Sequence, residues 1–208
     1  MKDTYKTLTK PSAEVLFKDR NSKFFGYAYP IYSEVEANTH IETLKSKHHK
    51  ARHWCFAWQT GKEGNSIYYR VNDDGEPSNS AGMPIYGQIQ SFEITNVLIV
   101  VVRYFGGIKL GVGGLINAYK TAAQLALENA TIVQRTIDEI FEVSFGYPEM
   151  NIVMRTIKEN NLTILEQKLE LDCKIYLSVR KKYADFIFEK FDTIYKVTIK
   201  KIEAIKSS

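Results

Sequence analysis

Residues 97–130 constrain the fold of this chain more than any other stretch. Residues 97–102 form an unbroken apolar run of valine, leucine and isoleucine, which predicts a strand buried on both faces. Five glycines follow within the nine residues from Gly106 to Gly114, and residues 115–129 then carry apolar side chains at helical spacing. A strand, a glycine-rich turn and a helix bring backbone N–H groups and a helix N-terminus together, and this geometry binds anions.

The glycines also have a purely structural explanation, because they let the chain turn tightly and let the helix pack close to the sheet. Arg103 and Lys109 lie in the same segment, and packing alone does not require cations beside the glycines. We therefore favour a binding role for this segment.

The composition is typical of a folded globular protein. The 208 residues are 44% hydrophobic and 25% charged, which suits one large domain or two small ones. No apolar run is long enough for a transmembrane helix, and residues 1–18 lack the apolar core of a signal peptide. Cys55 and Cys173 are the two cysteines, and their separation predicts a reduced, cytoplasmic protein without a disulfide framework or a zinc site made of thiolates.

The formal net charge of +4 comes from the first part of the chain. Residues 1–135 contain 16 Lys and Arg against 12 Asp and Glu, whereas residues 136–208 contain 12 of each. This surplus is compatible with a phosphate or nucleic-acid partner. We expect neither a membrane partner nor sequence-specific DNA binding.

The hydrophobic patterns predict an α+β protein of two domains, residues 1–135 and 136–208. In the first domain, strands are predicted at 13–18, 23–28, 53–59, 66–71 and 97–102, and helices from Ser33 to about Lys50, near Pro84 and at 115–129. Ser33 and Glu36 form a capping-box pattern at the first of these helices. The basic residues near Lys50 suit the negative end of that helix dipole, and a phosphate-binding face is the alternative.

Residues 136–208 follow the order βαββαβ. The predicted elements are 138–145, 148–160, 162–167, 169–179, 183–192 and 194–202. This order predicts a ferredoxin-like antiparallel sheet with two helices on one side, and in strand 169–179 alternate residues from Leu171 to Val179 share a face. No constellation in it suggests catalysis, so we interpret this domain as a recognition or docking module.

Four blocks of the first domain are unusual in composition. They are Ser22-Lys-Phe-Phe-Gly26, Lys50-Ala-Arg-His53, Asp73-Asp-Gly-Glu-Pro-Ser78 and Val102-Arg-Tyr-Phe-Gly-Gly-Ile-Lys-Leu-Gly111. Together they resemble the IMPACT family, whose bacterial branch is the YigZ family, over about residues 10–130. Two positions depart from the family pattern: Asn79 replaces a glycine in Ser78-Asn-Ser-Ala-Gly82, and Val112 replaces a small hydroxyl residue. Asn tolerates a left-handed backbone, so the loop shape is expected to survive.

The resemblance implies a first domain like domain 2 of ribosomal protein S5 and a second domain like the C-terminal domain of elongation factor G. Both analogies point to RNA or the ribosome, although fold alone does not assign function. Eukaryotic members are similar over the first domain and regulate translation by competing for the activator of an initiation-factor kinase. That activity needs an additional domain, so it is not carried over to this chain.

The charged residues and glycines of these blocks have three alternative interpretations. The first is a site that binds a phosphate or an RNA backbone. Arg103 and Lys109 would supply charge, the amides of residues 111–114 would supply donors, and Tyr104, Phe105 and Tyr119 could stack bases. Three nearby carboxylates would repel phosphates unless a metal bridges them or Arg103 neutralises them.

The second interpretation is catalysis. Asp73, Asp74 and Glu76 with His53 are the materials of general acid–base chemistry, and the three carboxylates could hold Mg²⁺. The glycine spacing matches neither a Walker A loop nor a dinucleotide-binding fingerprint.

The third interpretation is structural: Asp73 and Asp74 would cap turns, and Glu76 would pair with Arg103 to hold two loops together.

We favour a non-enzymatic protein that binds RNA or a ribosome-associated partner and regulates translation, and no cofactor is predicted. Its candidate binding residues are Arg52, His53, Asp74, Glu76, Ser78, Ser80, Arg103, Tyr104, Gly106, Gly107, Lys109, Gly111, Gly113 and Gly114. The alternative is a small enzyme that acts on a phosphorylated metabolite or nucleotide between residues 73–82 and 103–114, with Asp73, Asp74, Glu76 and His53 as catalytic residues. A third hypothesis is an adaptor that docks proteins through residues 136–208.

Overall fold

A computed structural model describes residues 3–62, 66–170 and 172–203, and the chain divides into two compact units. One unit comprises residues 5–135, and the other comprises the described residues from 136 onward together with Asp3 and Thr4. Both units combine helices with antiparallel sheets. None of the helices among these described residues is long and apolar enough to cross a membrane.

The first unit is built around a five-stranded antiparallel sheet. In chain order its elements are β1 (Thr4–Leu8), β2 (Val15–Asp19), β3 (Ser22–Pro30), α1 (Glu34–Lys47), β4 (His53–Thr60), β5 (Tyr68–Asn72), α2 (Gly82–Ser91), β6 (Val97–Tyr104), α3 (Gly111–Glu128) and β7 (Ile132–Thr136). The sheet order is β2-β3-β6-β4-β5, so β6 is the central strand. The predicted hairpin of β2 and β3 is confirmed.

The β6 strand is buried on both faces, as its unbroken apolar sequence predicts. Val97, Ile99 and Val101 pack with residues of α2 and α3, whereas Leu98, Val100 and Val102 pack with residues of α1. Alternate side chains of a strand point to opposite faces of its sheet. The two cores of this unit therefore lie on opposite sides of β6.

The α1 helix begins at the predicted cap. The Ser33 hydroxyl accepts a hydrogen bond from the Glu36 amide at 3.2 Å, and the Glu36 carboxylate accepts one from the amide of Tyr32 at 2.9 Å. In a standard capping box that second donor is the amide of the cap residue itself. The helix ends at Lys47, three residues before the predicted end at Lys50, because the chain turns through a hydrogen bond from the Ala51 amide to the His48 carbonyl.

The α3 helix begins at Gly111, four residues before the predicted start at position 115. Glycine disfavours helix, so the sequence pattern assigned this turn to a loop. The helix packs close to β3, since a Cβ at Gly26 would lie 2.6 Å from the Ala122 carbonyl oxygen. The predicted inward residues Leu115, Tyr119 and Ala122 are buried.

The strands β1 and β7 pair with each other as a two-stranded sheet and were not predicted. Both have five residues, of which two in β1 and all five in β7 are exposed or partly exposed, and neither strand carries a strong alternating apolar pattern. Their pairing joins segments more than a hundred residues apart.

The second unit confirms the predicted order of elements. It contains β8 (Asp138–Phe145), α4 (Met150–Glu159), β9 (Thr163–Leu169), β10 (Cys173–Arg180), α5 (Ala184–Asp192) and β11 (Val197–Ile202). The sheet order is β11-β8-β10-β9 with every neighbour antiparallel. Both helices contribute to one core on one face of this sheet. The predicted inward position of Leu171 lies outside the described residues.

Candidate functional site

The loop between β5 and α2, residues 73–81, carries Asp73, Asp74 and Glu76, and we call it the acidic loop. The hydrogen bonds of the Asp73 side chain hold it in place. One Asp73 carboxylate oxygen accepts hydrogen bonds from the amides of Ala81 at 3.0 Å and Gly82 at 2.8 Å, and the other accepts one from the Asn79 amide at 2.9 Å. Pro84 lies in the same helical turn and has no amide hydrogen. Asp73 therefore caps the N-terminus of α2 from nine residues away in sequence.

Asp74 joins this loop to β4. Its carboxylate accepts a hydrogen bond from the Trp54 amide at 2.7 Å, and its carbonyl lies 2.8 Å from Nδ1 of His53. The backbone of Asp74 is left-handed, with a φ of +43°. The Cys55 thiol donates to the Asp73 carbonyl at 3.0 Å, and burial raises the pKa of this thiol. A protonated, buried thiol is not the nucleophile of a His–Cys pair.

Glu76 and Arg103 form a buried ion pair with a third partner. The Arg103 Nη1 donates to Glu76 Oε1 at 2.6 Å, and the Tyr119 hydroxyl donates to the same oxygen at 2.7 Å. The guanidinium also lies 5.5 Å from the ring centroids of Phe24 and Phe105. The acidic loop, β6 and α3 are thereby joined at one point. Because Tyr119 is fully buried, it does not stack on a ligand base.

The three carboxylates do not converge on a common point. Asp73 faces the α2 amides, Asp74 faces β4, and Glu76 faces Arg103. Among residues 3–62, 66–170 and 172–203, no group of three His, Cys, Asp or Glu side chains has an arrangement that could hold a metal ion. These residues therefore do not provide the Mg²⁺ ligand set considered from the sequence.

The serines of this loop have different environments. Ser80 is buried, and its hydroxyl donates to the Pro77 carbonyl at 2.6 Å, whereas Ser78 is exposed. Asn79 between them has a φ of +60°, which is the left-handed conformation expected at the position where the family pattern has glycine. Ser78 is thus the serine that a ligand can reach.

We call residues 105–114 the glycine segment. Gly106 lies against the β2–β3 turn, since a Cβ there would be 2.1 Å from the Asn21 carbonyl carbon, and its amide donates to the Ser22 hydroxyl at 3.2 Å. Gly107 and Gly111 have φ values of +86° and +71°. These three glycines are therefore required by the path of the chain.

The outer surface of the glycine segment is exposed and chemically mixed. Phe105, Ile108 and Val112 are 52%, 48% and 54% exposed, and Lys109 between them is also exposed. The N-terminus of α3 has no side-chain cap and no acidic residue in its first turn. The predicted binding surface included Lys109 and Phe105 but not Ile108. Apolar residues that alternate with glycines were the sequence signal that could have indicated this exposed apolar side chain.

Tyr104 and Arg103 are both predicted binding residues, but the structure places their side chains apart. They are adjacent in β6 and point to opposite faces of the sheet. Tyr104 packs on the α1 side, where its hydroxyl lies 3.0 Å from Nδ1 of His48. His53 pairs with Arg103 in register, and Arg52 before it is exposed.

His48 is the centre of a second polar cluster on the α1 side. Its Nε2 lies 2.6 Å from the Tyr27 hydroxyl, which also donates to Glu14, and Lys47 pairs with Glu14 at 2.8 Å. Burial lowers the pKa of His48, and the hydrogen bond from Lys47 is the main cause that lowers the pKa of Glu14. Part of the basic cluster at the end of α1 is thus used in internal contacts.

The fold and the two signature loops define the class of the first domain. The family model described as the Impact N-terminal domain matches residues 20–127, which span β3 to the end of α3. That range includes both the acidic loop and the glycine segment.

The chain belongs to the IMPACT family. An IMPACT family member from Haemophilus influenzae is 32% identical over 177 residues, which cover 83% of this chain and 84% of that protein. The IMPACT family member YvyE of Bacillus subtilis is 34% identical over 70% of this chain and 66% of its own length. The IMPACT family member YigZ of Escherichia coli is 39% identical over 48% of this chain and 49% of its own length. The resemblance to the family and its YigZ-type members is thus confirmed.

One solved structure extends the similarity in fold to both units. A crystal structure of a hypothetical protein covers 98% of this chain and 99% of its own, with a TM-score of 0.73 at 23% identity. The two-domain translational regulator Yih1 is 30% identical over 58% of this chain and 46% of its own, with a TM-score of 0.40. The first of these shows that the mixed α and β fold of the whole chain is shared.

Proposed function

We propose that this IMPACT family protein is a cytoplasmic, non-enzymatic regulator of translation that binds RNA through the glycine segment. The observation that carries the proposal is the contrast between two neighbouring loops. The carboxylates of Asp73, Asp74 and Glu76 are taken up by internal hydrogen bonds, whereas Lys109 and Phe105 are directed to solvent. Lys109 and Phe105 are therefore the groups that can contact a ligand, and a cation beside an aromatic ring suits binding.

The exposed groups have complementary roles toward a single strand of RNA. Lys109 makes no ion pair with any residue that the structure describes, so it is available to a phosphate. Phe105 offers an aromatic face, and a stacked base contributes about 1–3 kcal/mol in sites of this kind. Arg103 neutralises Glu76 inside the protein, which removes the repulsion of a phosphate by one of the three carboxylates of the acidic loop.

The two folds support the same direction by analogy. We propose that the first unit is related to domain 2 of ribosomal protein S5 and that the second is a ferredoxin-like domain related to the C-terminal domain of elongation factor G. The sheet order β11-β8-β10-β9 with two helices on one face supports the second assignment. Both relationships connect the chain with RNA or with ribosome-associated partners.

The test is the binding of a fluorescent 12-nucleotide single-stranded RNA to the full chain over a salt series. Lys109→Ala should flatten the slope of log K against log salt by about one. Phe105→Ala should weaken binding by about 1–3 kcal/mol and leave the slope unchanged. Lys158→Ala, which removes an exposed lysine of the second unit, is the matched control.

The variant Arg103→Ala is unsuitable for this test because it also removes a buried ion pair. Failure of the wild-type protein to bind RNA at low salt would refute the proposal. Binding that all three variants retain with an unchanged salt slope would place the RNA elsewhere on the protein and would refute the assignment to the glycine segment.

A further inference from the structure

The sheet of the first unit brings two exposed lysines side by side on the face that also packs with α1. Lys18 of β2 pairs in register with Lys23 of β3, and Lys23 pairs with Tyr104 of β6. Side chains directly opposite on antiparallel strands share a face, with Cβ atoms about 4.5–5.5 Å apart, and two like charges in this position destabilise a sheet. The stability of the free protein therefore does not explain the two lysines.

A third cation lies at the same end of the sheet. His53 of β4 pairs with Arg103, so Arg52, one residue earlier, is level with Tyr104. We call Lys18, Lys23, Tyr104 and Arg52 the basic row. It crosses β2, β3, β6 and β4, which are neighbours in the sheet and lie about 4.8 Å from one strand to the next. Its three cations are exposed.

No acidic side chain of the described residues neutralises the basic row. Lys18, Lys23 and Arg52 form no ion pair within that part of the chain. The acidic residues of the neighbouring segments have other partners: Glu14 pairs with Lys47, Glu34 with Arg70 and Glu42 with Lys45, and Glu36 accepts a hydrogen bond from the Tyr32 amide. The dipole of α1 explains basic residues at the end of that helix, but Lys18 and Lys23 are on strands.

Aromatic and apolar side chains lie beside these cations. Tyr104 is partly exposed, and its position is fixed by two contacts: its hydroxyl lies 3.0 Å from Nδ1 of His48, and its ring packs edge-on against Phe25 with centroids 5.7 Å apart. Leu16, which is 42% exposed, pairs in register with the partly exposed Phe25. Proteins that bind single-stranded nucleic acid combine cations for the phosphates with aromatic rings for the bases.

We propose that the basic row is a second contact surface for single-stranded RNA. Lys18, Lys23 and Arg52 would bind phosphates, and the ring of Tyr104 would contact a base. The inference rests on the proposed function in taking RNA as the ligand, and it adds a surface on the other side of β6 from Arg103. Because Tyr104 is followed directly by Phe105, one RNA strand can contact both this surface and the glycine segment.

The first test uses the fluorescent 12-nucleotide RNA and the full chain over a salt series. The double variant Lys18→Ala/Lys23→Ala should weaken binding by about tenfold at low salt and flatten the slope of log K against log salt by about one for each lysine. Lys120→Ala/Lys158→Ala removes two exposed lysines elsewhere and matches the change in net charge. We expect this control to bind RNA like the wild type.

The variant Lys23→Glu separates binding from stability. It replaces a pair of like charges by a pair of opposite charges, so it should raise the urea concentration at the unfolding midpoint. It should also weaken RNA binding by at least about tenfold, because the row then carries an acid that repels phosphate. Lower stability together with unchanged RNA affinity would show that Lys23 is structural and would overturn the proposal.

Tyr104 is tested with two variants. Tyr104→Leu removes the ring and should weaken RNA binding by at least about fivefold, whereas Tyr104→Phe keeps the ring and should bind like the wild type. Equal losses in both would contradict contact between the ring and a base. Thermal unfolding of every variant shows that it is folded.

A fluorescent peptide of twelve glutamates is the probe for an acidic protein partner. If it bound as tightly as the RNA and was lost equally in Lys18→Ala/Lys23→Ala, the row would be a surface for acidic protein and the proposal would be wrong. Unchanged RNA affinity in the double variant, with the expected loss in Lys109→Ala, would overturn this proposal and leave the proposed function intact. The reverse pattern would support the basic row and refute the assignment of RNA to the glycine segment.

Discussion

Glu76 and Arg103 form an ion pair of 2.6 Å in which the two side chains are only 4% and 7% exposed. The pair connects a loop after β5 with the central strand β6, and Tyr119 donates to the same carboxylate oxygen. Removing one member leaves the other charge buried without its partner. Such a pair fixes the relative position of the two signature loops whether or not a ligand is bound.

We predict that Glu76→Ala lowers the free energy of unfolding by about 3–5 kcal/mol, because it leaves the Arg103 guanidinium unpaired in the interior. Urea unfolding followed by circular dichroism measures this change. Glu42→Ala is the matched control, since it breaks an exposed pair with Lys45 and should cost less than about 0.5 kcal/mol. Equal effects of the two variants would contradict a buried pair.

The cap supplied by Asp73 leads to a second prediction. Its carboxylate accepts three amide hydrogen bonds at the start of α2, so Asp73→Ala should cost about 2 kcal/mol or more. Ser33→Ala removes the one hydrogen bond that caps α1 and should cost about 1 kcal/mol. Urea unfolding of both variants gives the comparison. A smaller loss for Asp73→Ala than for Ser33→Ala would show that the loop is held by other contacts.

His48 gives the protein a pH-dependent stability in the range of histidine titration. Burial, and then the neighbouring Lys47, lower the pKa of His48 from its ordinary value of 6.5. Between the lowered value and 6.5 the unfolded chain binds more protons than the folded one, so the free energy of unfolding falls as pH drops. Burial lowers the pKa of His40 in the same sense. The contribution of Glu14, whose ordinary pKa is 4.5, is lost only at lower pH.

We therefore predict that the wild-type protein loses stability from pH 7.5 to 5.5, by at most about 1.4 kcal/mol per pH unit for each histidine. His48→Gln should be less stable at pH 7.5, because it loses contacts with Tyr27 and Tyr104, and should show a shallower decline. Urea unfolding at a series of pH values measures both. His49→Gln, at an exposed position of the same segment, is the control. An unchanged decline in His48→Gln would exclude His48 as its source.

Local patterns in the sequence were sufficient to predict most of the elements. The continuous apolar run of β6, the Ser33 cap and the order of elements after residue 136 each depend on neighbours within one element. Contacts between distant segments could not be predicted in this way. The hydrogen bond from Tyr119 to Glu76 spans 43 residues, and the β1–β7 pairing joins the two ends of a unit.

The candidate site also combines features that local sequence patterns predict with contacts between distant segments that they do not. Pairing of Glu76 with Arg103 was one of three uses considered from the sequence, and only the folded chain shows the two side chains in contact. The separation of Tyr104 from Arg103 follows from strand alternation, which the sequence did contain. The start of α3 at Gly111 could not be deduced, because glycine has low helix propensity and the surrounding structure decides its conformation.

Two glycines of the glycine segment should respond oppositely to the same substitution. A Cβ at Gly106 would lie 2.1 Å from the Asn21 backbone, so Gly106→Ala forces the β2–β3 turn to move and should lower stability by several kcal/mol. A Cβ at Gly113 would have no atom within 4 Å, and this residue lies in the first turn of α3. Gly113→Ala should therefore raise the free energy of unfolding by about 0.5–1 kcal/mol. Urea unfolding of the two variants provides the measurement. A loss of stability in Gly113→Ala would contradict the open space around this position.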